Sequence, residues 1–302
     1  MKYYLKAGEI GYRVKKFIQN FVKPGMKLLE VANSVENYIR ELGGEPAFPL
    51  NISINHVAAH RTPLPDDPEV IPEGSIVKID IGVHVNGYIA DTAITLVFND
   101  KFQEMADVNR EALYRALRSL RAGMRFSDLG GIIESVVRRR KYRVIKNLTG
   151  HSLGRYIIHA GEVIPNYRDP LALGRFKVGK AYAIEPFVTN GKGLVREVRK
   201  EIQIFALRYK KVGSAELTND EQRLMNEIKS RFKTLPFCER WLTDVFDAGR
   251  LRELLRSLVR KRFVLEYPVL VEAARGIVTQ FEETVLFTPD SVIVTTNPEI
   301  KQ

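Results

Sequence analysis

Two aspartates lie in one stretch of the chain, residues 75–97, in which apolar and other residues alternate as they do in a β-strand. The dipeptide Asn86-Gly87 divides this stretch and predicts a two-residue hairpin turn, because both residues tolerate a positive φ. With that turn, Asp80 and Asp91 share one face of the hairpin and are diagonal neighbours. Carboxylates this close in an apolar hairpin repel each other unless they are protonated, hydrogen-bonded or bridged by a cation. Taken alone, the pair also fits two solvated acids on an exposed face.

Later strand-like stretches carry further residues that bind metals or move protons. His151 lies in the glycine-punctuated stretch NLTGHSLGRYIIHAG, and Glu185 ends the run AYAIE. Glu282 and Glu283 are adjacent in GIVTQFEETVLF. Neighbouring residues of an extended strand face opposite ways, so only one of these two glutamates faces a site on a given side. The pattern alone leaves the choice between them open.

Together these residues predict a two-metal centre. Four carboxylates carry four negative charges, which two divalent cations neutralise. Oxygen-rich ligation with one imidazole suits Mn, Fe, Co or labile Zn rather than a structural thiolate zinc. Two such ions share a water, lower its pKa, and hold the attacking and leaving groups of a hydrolysis. The predicted members of the centre are Asp80, Asp91, His151, Glu185 and one of Glu282 and Glu283.

Two further histidines, His60 and His159, have less specific surroundings. His60 ends the loop-and-strand stretch AFPLNISINHVAAH, and a lone histidine is more often structural than catalytic. His159 lies eight residues after His151. Beside a two-metal centre, a histidine that binds no metal would polarise a substrate carbonyl and stabilise the oxyanion.

The predicted elements around these residues repeat once along the chain. Apolar residues at helical spacing predict helices near residues 14–22, 28–39, 105–120 and 129–137. The strands IDIGV and ADTAITL in the first half resemble IEPFV and FEETVLF in the second half. We therefore expect an α/β protein with a duplicated unit, whose two sheets contribute matching carboxylates to a shared centre.

A helical insertion is predicted between the last two acidic positions. Asp80 and Asp91 are 11 positions apart, whereas Glu185 and Glu282 are 97 positions apart. Most of the excess, residues 209–265, has apolar stripes at helical spacing and reads as an inserted subdomain in a domain formed by residues 1–208 and 266–302. The insertion has 13 Lys or Arg against 8 Asp or Glu.

Composition limits the class of protein. The chain has 302 residues and a formal net charge of +11, which favours acidic partners such as nucleic acid or a ribosome surface. Its single cysteine, Cys238, excludes an intramolecular disulfide framework and suits a reducing cytoplasm. The N-terminal residues have no apolar core of the signal-peptide type, and no segment is long enough to span a bilayer.

The order of motifs IDIGVHVNGYIADTA, GHSLGRYIIHAG, AIEPF and QFEET resembles the methionine aminopeptidases of the pita-bread fold. The resemblance spans essentially the whole chain and is greatest to the type 2 enzymes, which carry a helical insertion between the last two glutamates. The absence of a long N-terminal extension resembles the compact archaeal form. The resemblance implies a pseudo-two-fold α/β (α+β) fold with antiparallel sheets around a dinuclear metal centre.

The same resemblance implies an activity and a role for each site residue. The expected reaction is removal of the initiator methionine from nascent chains, preferably before a small second residue, by a cytoplasmic monomer. Asp91 and Glu282 are the expected bridging ligands, and Glu185 is also the expected acid/base. The metal ligands are expected to be Asp80, Asp91, His151, Glu185 and Glu282; His60 and His159 are expected to handle the scissile amide and its oxyanion, and Phe48, Ile158, Phe187 and Tyr267 to line the methionine pocket with them.

One position departs from the family pattern, and two rival interpretations stay open. The family usually has histidine after the last glutamate, where this chain has Glu283. The first rival is a pita-bread peptidase that acts before proline. The second is a binding protein of the same fold without enzymatic activity, although such proteins typically lose metal ligands. The basic insertion is expected to contribute to docking on a ribosome or RNA.

Overall fold

The computed structural model describes residues 1–208 and 216–300, and the first residues of the predicted insertion lie outside these ranges. Apolar stripes at helical spacing form helices in this part of the chain, where each stripe was expected. Short 3-10 turns cover Asp100–Phe102 and Glu239–Leu242. The described α-helices are α1 (Lys2–Phe21), α2 (Leu28–Glu41), α3 (Gln103–Ser119), α4 (Phe126–Arg139), α5 (Asn219–Arg231) and α6 (Ala248–Arg260).

The described strands pair in antiparallel fashion throughout. They are β1 (Glu45–Pro46), β2 (Asn51–Ile54), β3 (Val57–Ala59), β4 (Ile76–Val85), β5 (Tyr88–Val97), β6 (Arg143–Val144), β7 (Thr149–Leu153), β8 (Val163–Pro165), β9 (Ala181–Ile184), β10 (Phe187–Thr189), β11 (Val195–Leu207), β12 (Phe237–Cys238), β13 (Val264–Glu272), β14 (Val278–Gln280), β15 (Glu283–Phe287) and β16 (Val292–Val294).

The hairpin of β4 and β5 has the predicted register. Val85 pairs with Tyr88, and Gly82 pairs with Asp91. Asn86 and Gly87 have φ values of 52° and 84°, as a two-residue turn of this kind requires. The prediction from the Asn-Gly dipeptide is therefore confirmed.

Two sheets carry the predicted acidic residues. The first contains β1, β4 and β2 in that order, with β5 paired to β4; the second has the order β16-β15-β9-β7-β8. A single bridge between Ala93 and Glu282 joins β5 to the segment just before β15. Helix α1 packs on β4 and β5, and α4 packs on β8, so one large apolar core lies between helices and sheets. The expected α/β architecture with antiparallel sheets is confirmed.

A second apolar core lies between α5, α6 and the strands β11 and β13. It contains Leu224, Ile228, Leu251 and Leu258 of the two helices, all of them fully buried. Helix α5 begins with a capping box, in which the Thr218 side chain accepts from the backbone of Glu221 and the Glu221 side chain accepts from the backbone of Thr218. Within the described residues, no helix is long and apolar enough to cross a membrane.

Candidate metal centre

The hairpin positions the two aspartates of the predicted centre. Asp80 lies in β4 and Asp91 in β5, and Asp91 is only 3% exposed. Thr284 fixes the backbone of Asp91, because the Thr284 hydroxyl accepts from Asp91 N–H and donates to Asp91 C=O, both at 2.7 Å. Both sheets therefore fix the position of Asp91, which lies in β5 of the first sheet and is held by Thr284 in β15 of the second.

The second sheet supplies the imidazole and a third carboxylate. His151 lies in β7, and Glu185 directly follows β9. The Nε2 atom of His151 is 3.5 Å from Asp91 Oδ2 and 3.3 Å from Glu185 Oε1. These three residues, which the sequence separates widely, thus meet in one place.

Glu282 is the fourth carboxylate, and the side chain of Gln280 links it to the hairpin. The Gln280 amide nitrogen donates to Asp80 Oδ2 and to Glu282 Oε2, at 3.2 Å in both cases. Gln280 is itself 1% exposed. A buried amide that donates to two carboxylates holds them at a fixed separation while it partly offsets their repulsion.

Glu283 faces the opposite way and has its own cation, which an unpaired buried carboxylate would lack at a high cost. Lys15 Nζ lies 2.6 Å from both carboxylate oxygens of Glu283. Thr296 and Thr92 donate their hydroxyls to Glu283 Oε2, and Asn297 donates to Glu283 Oε1 at 3.1 Å. Lys15 and Glu283 are both almost fully buried, in helix α1 and strand β15.

Burial and mutual repulsion both disfavour the charged forms of the four clustered carboxyl groups. Burial, with the charge of Glu185, raises the pKa of Asp80 to about 7. Burial also raises the pKa values of Asp91, Glu185 and Glu282 well above their ordinary range, and neighbouring carboxylates add to the rise for Asp91 and Glu282. Burial lowers the pKa of His151 to about 4, so its imidazole is neutral at pH 7.

The donor set fits divalent cations. Asp91, His151 and Glu282 each offer a ligand atom, and these atoms lie within 4.8 Å of one another. Among the described residues, Asp80 Oδ1, Asp91 Oδ1 and Glu282 Oε1 are buried without a hydrogen-bond partner. A buried carboxylate oxygen without a partner is costly, and a hard cation supplies the missing interaction. Oxygen-rich coordination with one imidazole matches the metals predicted from the sequence.

A cavity of about 390 Å³ opens onto the cluster, and the predicted substrate residues line it. His159 lies beside the cluster, since its ring centroid is 4.5 Å from that of His151. The ring of Tyr267 is near both predicted catalytic histidines, 5.5 Å from His60 and 6.3 Å from His159. The predicted residues on the cavity wall are Phe48, His60, Asp80, Asp91, His151, Ile158, His159, Glu185, Phe187, Tyr267 and Glu282.

Both histidines that are expected to act in catalysis, His60 and His159, are neutral at pH 7. Burial, with the nearby His159, lowers the pKa of His60 to about 4, and burial, with the nearby His151, lowers that of His159 to about 3. His60 Nδ1 lies 3.2 Å from the carbonyl oxygen of Pro268. Because a carbonyl only accepts, this nitrogen carries the proton, and Nε2 of a neutral His60 is left as an acceptor.

Some contributors to the site were not predicted from the sequence. Ile204, Leu270 and Pro236 also line the cavity, and Pro236 belongs to the predicted insertion. Lys15 was missed as the partner of Glu283, although its spacing from Gly11 and Ile18 places it on the buried face of α1. His84 lies outside the cluster, where its Nδ1 accepts from Gly87 N–H at 3.2 Å.

Comparisons with known proteins agree with this geometry. The model of metallopeptidase family M24 matches residues 2–217. The methionine aminopeptidase of Pyrococcus horikoshii is 44% identical over 292 residues, which cover 97% of this chain and 98% of that protein. A methionine aminopeptidase from Saccharolobus solfataricus is 40% identical over 293 residues, covering 97% and 96%.

Solved structures show the same fold at low sequence identity. The crystal structure of methionine aminopeptidase from Thermotoga maritima has a TM-score of 0.67 at 21% identity, covering 97% of this chain and 94% of that one. With the family match and the near-full-length relatives, the fold is the pita-bread fold expected from the motifs. The chain belongs to metallopeptidase family M24.

Proposed function

We propose that this protein is a methionine aminopeptidase, a metal-dependent hydrolase that removes the N-terminal methionine of polypeptides. The observation that carries the proposal is the position of an apolar, aromatic-lined cavity directly beside a buried cluster of four carboxyl groups and His151. The relatives named above, at 40–44% identity over nearly the full chain, are methionine aminopeptidases. The expected metal dependence follows from the family and from the donor set.

Each residue of the site has a proposed role. Asp80, Asp91, His151, Glu185 and Glu282 hold two divalent cations, with Asp91 and Glu282 shared between them. Bound there, the cations supply Lewis-acid activation of water and of the scissile carbonyl. Glu185 accepts a proton from the attacking water and passes it to the leaving amine, as a carboxylate with a raised pKa is suited to do.

The two neutral histidines act on the scissile amide. His60 holds its Nδ1 proton on Pro268, so its Nε2 accepts from the N–H of the amide and orients the peptide. His159 donates to the oxygen on which negative charge develops, because its ring lies on the cavity wall beside that of His151. Phe48, Ile158, Phe187 and Tyr267 enclose the methionine side chain, because aromatic and aliphatic walls suit a polarizable thioether.

The experiment that tests this function is an assay on Met-Ala, Met-Leu and Ala-Pro peptides with Mn, Fe, Co and Zn. We expect metal-dependent cleavage of Met-Ala, with slower cleavage of Met-Leu, because a small second residue is preferred. Cleavage of Ala-Pro alone would favour the rival peptidase that acts before proline. No cleavage with any metal would favour a binding protein without enzymatic activity.

The protein is further assigned to the type 2 enzymes, with a catalytic domain of residues 1–208 and 266–302 and an insertion of residues 209–265. Support comes from the second apolar core around α5 and α6, to which Phe205 and Leu207 of β11 also contribute. Leu235 belongs to the same apolar cluster as Phe48 and Ile158, and Pro236 lines the cavity, so the insertion contributes to the pocket wall. Deletion of residues 216–263 with a short linker tests the division: a folded remainder with altered substrate preference is expected, and an unfolded one would contradict two separable units.

We also propose that the basic insertion docks on the ribosome or on RNA. The protein itself is proposed to be a cytoplasmic monomer. Arg256, Arg260 and Arg262 are exposed and form no ion pair within 4.0 Å among the described residues, although the charge of Arg256 acts on Glu239. Lys261 instead binds Glu221 at 2.7 Å and serves the structure of the insertion. Replacing the three arginines with glutamine should weaken salt-dependent co-sedimentation with ribosomes, and unchanged co-sedimentation would count against docking.

A further inference from the structure

The loop of residues 152–160, called here the histidine loop, carries two residues into the cavity. It follows His151 and presents Ile158 and His159 to the cavity. Backbone hydrogen bonds close it: Gly154 N–H donates to Ile157 C=O at 2.8 Å, and Ala160 N–H donates to Ser152 C=O at 2.8 Å. The placement of His159 therefore depends on what holds the tip of this loop.

Tyr156 forms the tip, in a backbone conformation that needs support. Its φ is +58°, in the left-handed region that costs a non-glycine residue roughly 1–2 kcal/mol. Strained residues of this kind persist where the surrounding structure fixes them, and they cluster at functional sites. The contacts of Tyr156 thus identify the parts of the molecule that hold the loop.

One side of Tyr156 is held by the hairpin of β4 and β5. Tyr156 N–H donates to Gly87 C=O at 2.8 Å. Its ring lies so close to Gly87 that a Cβ atom there would approach within 2.4 Å. The His84 ring adds an edge contact, with centroids 5.6 Å apart. The hairpin that carries Asp80 and Asp91 therefore fixes the near side of the loop.

The other side of Tyr156 is held by the insertion. The Thr234 hydroxyl donates to the Tyr156 carbonyl, and Lys233 Nζ lies 5.0 Å from the centre of the Tyr156 ring. The next residue, Leu235, is 3% exposed and belongs to the same apolar cluster as Ile158. A hydrogen bond to the tip and an apolar residue of the Ile158 cluster thus come from three consecutive residues of the turn that follows α5.

We propose that Thr234 is a positioning residue, through which the insertion holds the histidine loop so that His159 is placed for catalysis. This inference rests on the proposed function, because it assigns Thr234 an effect on that reaction. Removing the Thr234 hydroxyl takes away a hydrogen-bond donor of the Tyr156 carbonyl, and the strained tip can then relax. A displacement on the order of 1 Å of a group that acts on the transition state costs up to roughly 10²-fold in rate.

The test compares Thr234→Val with a matched variant of the same subdomain, Thr243→Val, whose hydroxyl donates to Arg240 C=O at 3.3 Å. In Thr234→Val, kcat for Met-Ala should fall about 10-fold, with a smaller rise in KM, since Ile158 shifts with the loop while Phe48, Phe187 and Tyr267 stay in place. Amide hydrogen exchange of residues 152–160 should accelerate, while bound metal stays at the wild-type amount. Thr234→Ser should restore both kcat and slow exchange.

The outcomes separate this inference from the proposed function. A wild-type protein that cleaves no Met peptide would overturn the proposed function, and the exchange measurement would still decide whether Thr234 holds the loop. With an active wild type, equal kcat values for the Val variants at 234 and 243 would overturn the positioning role. Loss of metal in Thr234→Val would also overturn it, because the effect would then lie on His151. Failure of Thr234→Ser to restore kcat would contradict the role of the hydroxyl.

Discussion

At the scale of residues, the site is a set of polar groups that burial keeps away from water. Carboxyl groups with raised pKa values and imidazoles with lowered ones are costly in the folded chain without cations. His60 is half-buried and His159 is exposed on the cavity wall. We expect a bound substrate to exclude water from both, so that a hydrogen bond given or accepted there is worth more to a transition state than the same bond at the open surface.

The first prediction concerns these two histidines. His60→Ala and His159→Ala should each lower kcat for Met-Ala by about 10²–10³, because each removes one interaction with the reacting amide. Bound metal should stay at the wild-type amount in both variants, since neither residue is a proposed ligand. Steady-state kinetics together with metal analysis of the purified variants measures both quantities.

The pKa values add a check on the same residues. With pKa values of about 4 and about 3, His60 and His159 are neutral throughout pH 6–8. Any kcat titration in that range should therefore persist in both alanine variants. A titration that disappears with His159→Ala, or metal that is lost with it, would show that its role has been misassigned.

Residue types and spacing predicted much of this site, because strand alternation and the turn dipeptide act locally. They placed Asp80 and Asp91 on one face and turned one of Glu282 and Glu283 away from the site, where it pairs with Lys15. The identity of that partner was not predictable from the local pattern, since Lys15 is 268 positions away in the sequence. The link between Thr234 and Tyr156, 78 positions apart, was missed for the same reason.

At the scale of elements, the pair of Lys15 and Glu283 joins helix α1 to strand β15, directly behind the proposed metal ligand Glu282. Glu283→His, which restores the usual family residue, should lower the free energy of unfolding by about 3–5 kcal/mol, because it leaves Lys15 buried without its carboxylate. It should keep both metals, since Glu282 still faces the centre. Urea unfolding and metal analysis measure the two effects.

A double variant serves as the control for this pair. Lys15→Met with Glu283→Leu removes both charges, and it should recover most of the stability lost in Glu283→His, because no unpaired buried charge remains. Equal stability of the wild type and Glu283→His would contradict the importance of the ion pair.

Another buried carboxylate, Glu272, accepts hydrogen bonds from two turns, one after β10 and one before β14. Its oxygens accept backbone N–H groups from Lys192, Gly193, Ala274 and Gly276. Burial alone would raise the pKa of Glu272, but these donors hold it below its ordinary value. A depressed pKa means that the stabilisation is present above the unfolded-state pKa and is lost as pH falls through the folded-state pKa.

Glu272→Gln should therefore lower the free energy of unfolding by roughly 2–3 kcal/mol at pH 7, because an amide group replaces a charged acceptor of several donors. The difference from the wild type should be constant above pH 4.5, the ordinary pKa of the group, and should shrink as pH falls below it. Urea unfolding of the two proteins at several pH values measures it. A difference that grows towards acid pH would contradict the assigned sign.

At the scale of the whole molecule, three parts of the chain meet around one cavity. The first half contributes the aspartate hairpin, the second half contributes His151, Glu185 and Glu282, and the insertion contributes Pro236. The sequence predicted the duplicated architecture and its helices, because these depend on periodicity and turn residues. Ile204 and Leu270 line the cavity because of how the sheets pack, and no local sequence pattern specifies that packing.

The central claim is that Glu282, rather than its neighbour, completes a two-metal centre. Calorimetric titration of chelator-treated protein with Mn²⁺ or Co²⁺ tests it most directly, on the wild type, Glu282→Gln and Glu283→Gln. We predict two bound ions for the wild type and for Glu283→Gln, and the loss of at least one ion in Glu282→Gln, together with nearly all Met-Ala cleavage. Metal lost in Glu283→Gln and retained in Glu282→Gln would contradict the assignment and place the strand one residue out of register.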